Sequence, residues 1–195
     1  EDEEVVERFS EWIEPRIRRV RLILAIIFGV MLGFGTATLL DQVLAFLNAS
    51  NFGVADPQFG IDVGFFVFRL PFWRELVSWT FQLVVAAAIL VTALHYLNGG
   101  IRLRQGRTPE IGAGVRAHLS VLLALLAILK AGAYRLDSYE LLNSSRGLVF
   151  GAGYTDVSAR IPALNLLVLI SLAAAVLLLY NLRRRGWMLP AVALG

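Results

Sequence analysis

Four runs of apolar residues organise this chain. The first, LILAIIFGVMLGFGTATLL, opens at Leu22 and continues through Asp41 towards Leu47, so a span is read over about 22–47. The second runs from Leu76 to Leu97, the third from Arg116 to Tyr134 with Lys130 near its end, and the fourth from Pro162 to Leu182. Each reaches the ~20 mostly apolar residues that carry a helix across a bilayer. The spans 76–97, 116–134 and 162–182, with the first, leave too little polar sequence to cover four buried soluble helices. The pattern therefore predicts an all-α, polytopic transmembrane helix bundle. A further apolar segment begins at 187–195, so the sequence reads as part of one transmembrane domain of a longer protein.

Between the first two spans, FGIDVGFFVFRLPFWREL (59–76) mixes five phenylalanines and a tryptophan with Asp62, Arg69 and Arg74. Aromatic residues favour the headgroup zone, and amphipathic helices lie in its plane. This stretch is read as a short interfacial helix on the outer side, with Asp62 and Arg69 on one face. A bend at Pro71 and descent into the membrane from Trp73 follow. Val5, Val6, Phe9, Trp12 and Ile13, at roughly helical spacing, predict an amphipathic helix leading into the first span.

Charge orients the bundle. Hydrophobic residues make up 57% and charged residues 17% of the chain, against ~25% charged in soluble domains. The net charge of +3 is carried by arginines beside the apolar runs, which read as topology determinants, not as a nucleic-acid surface. Twelve arginines fall on one side: residues 8, 16, 18, 19 and 21, then 102, 104, 107 and 116, then 183–185. Five, at 69, 74, 135, 146 and 160, fall on the other. The positive-inside rule makes the arginine-rich loops cytoplasmic and the protein a multipass component of a bacterial plasma membrane. There are no cysteines, so thiolate metal sites and disulfides are excluded.

Several polar groups sit at or inside the spans. Asp41 and Lys130 are a candidate intramembrane ion pair, set against simple snorkelling of the lysine to the headgroups. Ala25, Gly29, Gly33 and Ala37 recur every four residues, a spacing that suits close helix approach, with Ala86–Ala88 and Ala173–Ala175 as candidate facing surfaces. His95 and His118 both fall at cytoplasmic ends and read as ordinary polar end residues. No Walker loop, G-x-S-x-G or H-E-x-x-H motif is present. The outer hydroxyls Ser144, Ser145, Tyr154, Thr155 and Ser158 are separated from both histidines by the ~30 Å hydrocarbon core, too far for a catalytic pair. The outer carboxylates could ligate calcium, but nearby cations and the i,i+4 spacing of Asp156 and Arg160 favour a structural polar network.

The blocks VADPQFGIDVGFFVFRLPFWREL and LDSYELLNSSRGLVFGAGYTDVSARIPAL, and the W-x-L-P at Trp187 to Pro190, resemble the bacterial uncharacterised protein family 0182. The resemblance implies a parent with about seven spans and a large extracytoplasmic domain, of which this chain holds the third to sixth spans. It brings no catalytic residues and no cofactor. Within the matching blocks, the outer-loop candidates are Asp56, Asp62, Tyr139, Glu140, Tyr154, Asp156 and Arg160, beside Phe59, Gly60, Thr155 and Pro162. Gln58, Gly64 and Ser138 differ from the forms the family leads one to expect. The leading expectation is a non-enzymatic membrane anchor or partner-binding domain, in contact with membrane lipids, other membrane helices or envelope proteins. The alternative is a transporter or lipid-handling protein of the cell envelope, and a membrane enzyme ranks third.

Overall fold

The computed structural model describes residues 36–102, 110–143 and 151–182, together with single helical positions between 19 and 33. The expected amphipathic helix at the start of the chain, Ser144 and Ser145, and the 187–195 segment lie outside the described residues. The fold is all-α, apart from one two-residue ladder. Helix α1 covers Thr36–Leu47, α2 Leu70–Leu97, α3 Ala113–Glu140 and α4 Ile161–Tyr180. Three helical stretches, Phe65–Tyr96, Ala113–Asn143 and Asp156–Tyr180, are long and apolar enough to cross a membrane.

Helix α3 packs between α2 and α4, and it runs antiparallel to α2, since His95 meets His118 at one end and Arg74 meets Glu140 at the other. The α3–α4 contact is the most extensive. Its chemistry is that of membrane helices, where close packing of small side chains replaces the hydrophobic drive. Ser120, Ala124, Ala131 and Ser138 recur along one face of α3, all buried, and Ala175 is buried on α4. The small-residue seam therefore lies on α3. At the expected stripe on the first span, a side chain added to Gly29 or Gly33 would meet nothing within 4 Å among the described residues.

Helix α2 ends in a Schellman motif. Gly99 takes φ +67°, its N–H bonds the Tyr96 carbonyl at 3.1 Å, and the Gly100 N–H bonds the His95 carbonyl at 2.8 Å. Only glycine takes that left-handed position without strain, which explains the L-N-G-G that closes the span. The chain then enters a short antiparallel ladder, Ile101–Arg102 with Glu110–Ile111, that leads into α3.

The structure corrects the expected break at Pro71. The helix is continuous from Val63 to Leu97, and Pro71 sits in the first turn of α2, where its missing N–H is tolerated. Ahead of it, Phe65–Arg69 form a π-helical turn in which the Leu70 N–H bonds the Phe65 carbonyl. That wide turn absorbs the offset at the point where proline supplies no donor. The same device recurs before α4. Asp156–Arg160 form a π-helical turn, the Ile161 N–H bonds the Asp156 carbonyl, and Pro162 follows in the first turn. The helices that contain 76–97 and 162–182 thus start several residues before Leu76 and Pro162, and the one that contains 116–134 extends on both sides of it.

Candidate functional site

The candidate residues gather at one end of the layer, where the 48–64 segment folds against α2 and α3. Asp62 organises that segment. It does not lie on a helix face with Arg69, as expected; it forms a bridge with Ala55. One carboxylate oxygen accepts the Phe52 N–H at 3.0 Å and the Gly64 N–H at 2.8 Å, and the other accepts the Gly53 N–H at 2.8 Å. The Phe52 amide does most to hold the carboxyl below its ordinary value of 3.8; partial desolvation opposes it, and the Gly64, Gly53 and Val54 amides add to it. Asp56 performs a similar task one turn earlier, accepting from the Gln58 and Phe59 amides at 2.9 and 2.8 Å. Gly64 completes the closure, because a side chain there would collide with the Ser50 carbonyl oxygen.

The folded loop docks through aromatic rings. Tyr139 on α3 meets Phe59 at 4.9 Å, Phe65 at 5.6 Å and Phe66 at 6.1 Å, all near edge-to-face. The Arg135 guanidinium lies 4.7 Å from the Tyr139 ring and 5.9 Å from the Phe59 ring, and donates to the Asn165 side-chain oxygen on α4 at 3.2 Å. Arg74 at the head of α2 pairs with Glu140 and, at 3.8 Å, with Asp137. Phe46 closes the end of α1 onto Phe72 and Trp73, at 4.5 and 6.0 Å between ring centres.

The remaining candidates are not part of this assembly. Asp156 accepts from the Gly153 amide at 3.0 Å and from the Arg160 guanidinium at 2.9 Å, which caps the turn leading into α4. Tyr154 projects outward, 88% exposed. Lys130 does not pair with Asp41. Its ammonium lies over the rings of Phe81 and Tyr134, at 5.7 and 5.1 Å, while Asp41 is exposed on α1. At the opposite end His95 and His118 meet edge-to-face at 5.8 Å. Among the described residues no group of three or more metal-ligating side chains converges. Sequence reading missed the roles of Arg74, Arg135, Asn165 and Ser138. Only the first carried a signal, as a cation inside an aromatic block.

A sequence profile of the uncharacterised protein family UPF0182 matches residues 1–195. The chain belongs to UPF0182. A UPF0182 protein of Frankia alni is 41% identical over 196 residues, covering 100% of this chain and 19% of that protein. A relative in Salinispora arenicola is 40% identical, covering 99% of this chain and 20% of its own length. One in Mycobacterium avium is 38% identical with the same coverage. The chain thus spans about one-fifth of the length of the UPF0182 proteins it matches. No solved structure gives a significant match.

Proposed function

We propose that this part of the UPF0182 protein is a non-enzymatic, multipass membrane anchor that presents a rigid loop platform to a partner. The partner is an envelope protein or another region of the same polypeptide. One observation carries the reading: the candidate carboxylates are engaged in holding the fold. Asp62 and Asp56 are bonded to backbone amides, Glu140 to Arg74 and Asp156 to Arg160. Groups bonded in this way build a surface; they do not converge on a substrate. In this reading the membrane is the bacterial plasma membrane, the platform faces outward, and the arginine-rich turns face the cytoplasm.

A photocrosslinking residue in place of Tyr154 or Phe52 in the full-length protein tests the platform. Discrete crosslinks to one protein, or to the remainder of the same chain, are expected. Crosslinking to lipid alone would remove the partner-binding role. A second reading, transport or lipid handling, draws support from Lys130, whose ammonium lies against Phe81 at the midpoint of the 32-residue helix Phe65–Tyr96. A charged group at that depth is expensive, and in membrane proteins it commonly marks a pathway. A structure of the full-length protein in lipid separates the two. A dry, close-packed bundle supports the anchor, and a hydrated or lipid-filled path past Lys130 supports transport.

A further inference from the structure

Arg135 is a cation with built surroundings and, among the described residues, no carboxylate partner, although Asp137 and Glu140 lie within two turns on the same helix. Those two carboxylates face Arg74, and Asp156 faces Arg160. The guanidinium is nevertheless fixed. The Tyr139 and Phe59 rings lie beside it, and Asn165 takes one of its five donors. A planar fork held on aromatic rings, with exposed N–H groups left over, suits an anion with paired oxygens.

Depth and surroundings identify the anion. The helix Ala113–Asn143 has 31 residues, hence a length of ~46 Å, which exceeds the ~30 Å hydrocarbon core by ~8 Å at each end. Arg135 stands eight residues before the end of that helix, ~12 Å along it, within ~4 Å of the hydrocarbon boundary if the helix is centred. Below the Asn165 side chain, Leu169, Leu172 and Val176 follow at i+4, i+7 and i+11, on one face of α4, and all are exposed. From Asn165 to Val176 the track runs ~16 Å, about the depth of one leaflet.

We infer that Arg135 and Asn165 form a headgroup site for a phospholipid, binding its phosphate, with an acyl chain along Leu169, Leu172 and Val176. Charge complementarity and the apolar track below it select a lipid over a soluble anion, and the inference stands apart from the anchor reading.

The test uses the full-length protein in mixed micelles, with native mass spectrometry to count bound phosphatidylglycerol. Wild type is expected to retain the lipid, and Arg135→Gln to bind it about tenfold or more weakly, the loss of a charge-assisted hydrogen bond. Arg135→Lys keeps the charge but loses the fork, and is expected to fall between them. Asn165→Leu removes the orienting contact while suiting a membrane helix, so it reports on the site even if Arg135→Gln does not fold. Arg69→Gln is the control, an exposed arginine with neither a carboxylate pair nor an aromatic seat among the described residues. Equal loss in the Arg69 variant, or unchanged retention when Arg135 or Asn165 is replaced, would overturn the inference. Displacement of the lipid by inorganic phosphate alone would also overturn it, by assigning the site to a soluble anion.

Discussion

Asp62 shows how a single side chain decides the shape of a segment. Three backbone N–H groups at positions 52, 53 and 64 converge on its two oxygens, so the carboxylate does the work that a strand partner would do elsewhere. Its folded-state pKa is depressed. The stabilisation is therefore fully present above the unfolded value near 3.8 and is lost as pH falls through the lower folded value. Protection of the Phe52, Gly53 and Gly64 amides, corrected for intrinsic exchange, should hold constant above about pH 5 and collapse only in stronger acid. Asp62→Asn should lose protection at neutral pH, first at Gly53, because the amide side chain offers a single acceptor oxygen. Glu140→Gln is a different case. Its partner Arg74 is 36% exposed and Glu140 itself 52%, so the pair is worth no more than about 1 kcal/mol, and thermal unfolding should shift by only a few degrees. A large loss would mean that the pair is dry. None of this pairing is visible in spacing, because Phe52 and Asp62 are ten residues apart and nothing local links them. The Asp156–Arg160 pair is the exception, since i,i+4 spacing alone puts the two side chains together.

At the scale of elements, the apolar runs locate three of the helices, and π-helical turns extend two of them ahead of their apolar runs. Pro71 looks like a break and Pro162 like a helix start, yet each follows an arginine and an aliphatic residue, R-L-P and R-I-P, and each lies within a helical stretch that has already begun. A π-helical turn behaves as one extra residue inside an α-helix. Deleting Val67, which is exposed, should therefore close Phe65–Arg69 into ordinary α-helix and leave a folded protein. Deleting Ala87 from the middle of α2 rotates everything beyond it by ~100° against α3 and should abolish folding. Yield of monodisperse full-length protein in detergent distinguishes the two. Equal tolerance would show that the α2–α3 contact is not specific. The small-residue seam followed the same logic of partial legibility. Ser120, Ala124, Ala131 and Ser138 could be seen as small, but only the packing of the helices shows that theirs is a buried face.

For the molecule as a whole, hydropathy goes furthest, because a helix that crosses a bilayer must be apolar along its whole length. Three of the four apolar runs fall in helices long and apolar enough to cross a membrane. The platform does not follow from those signals, since it depends on tertiary contacts between a loop and two helices. The central claim is that the end carrying the Asp62 loop and Tyr154 faces outward while the Gly99 turn faces the cytoplasm. Residues 1–195 contain no cysteine, so Tyr154→Cys and Asn98→Cys can be placed singly in a cysteine-free full-length protein. An impermeant maleimide applied to intact cells should modify position 154 at once and position 98 only after lysis. Modification of position 98 in intact cells, with position 154 protected until lysis, would contradict the account.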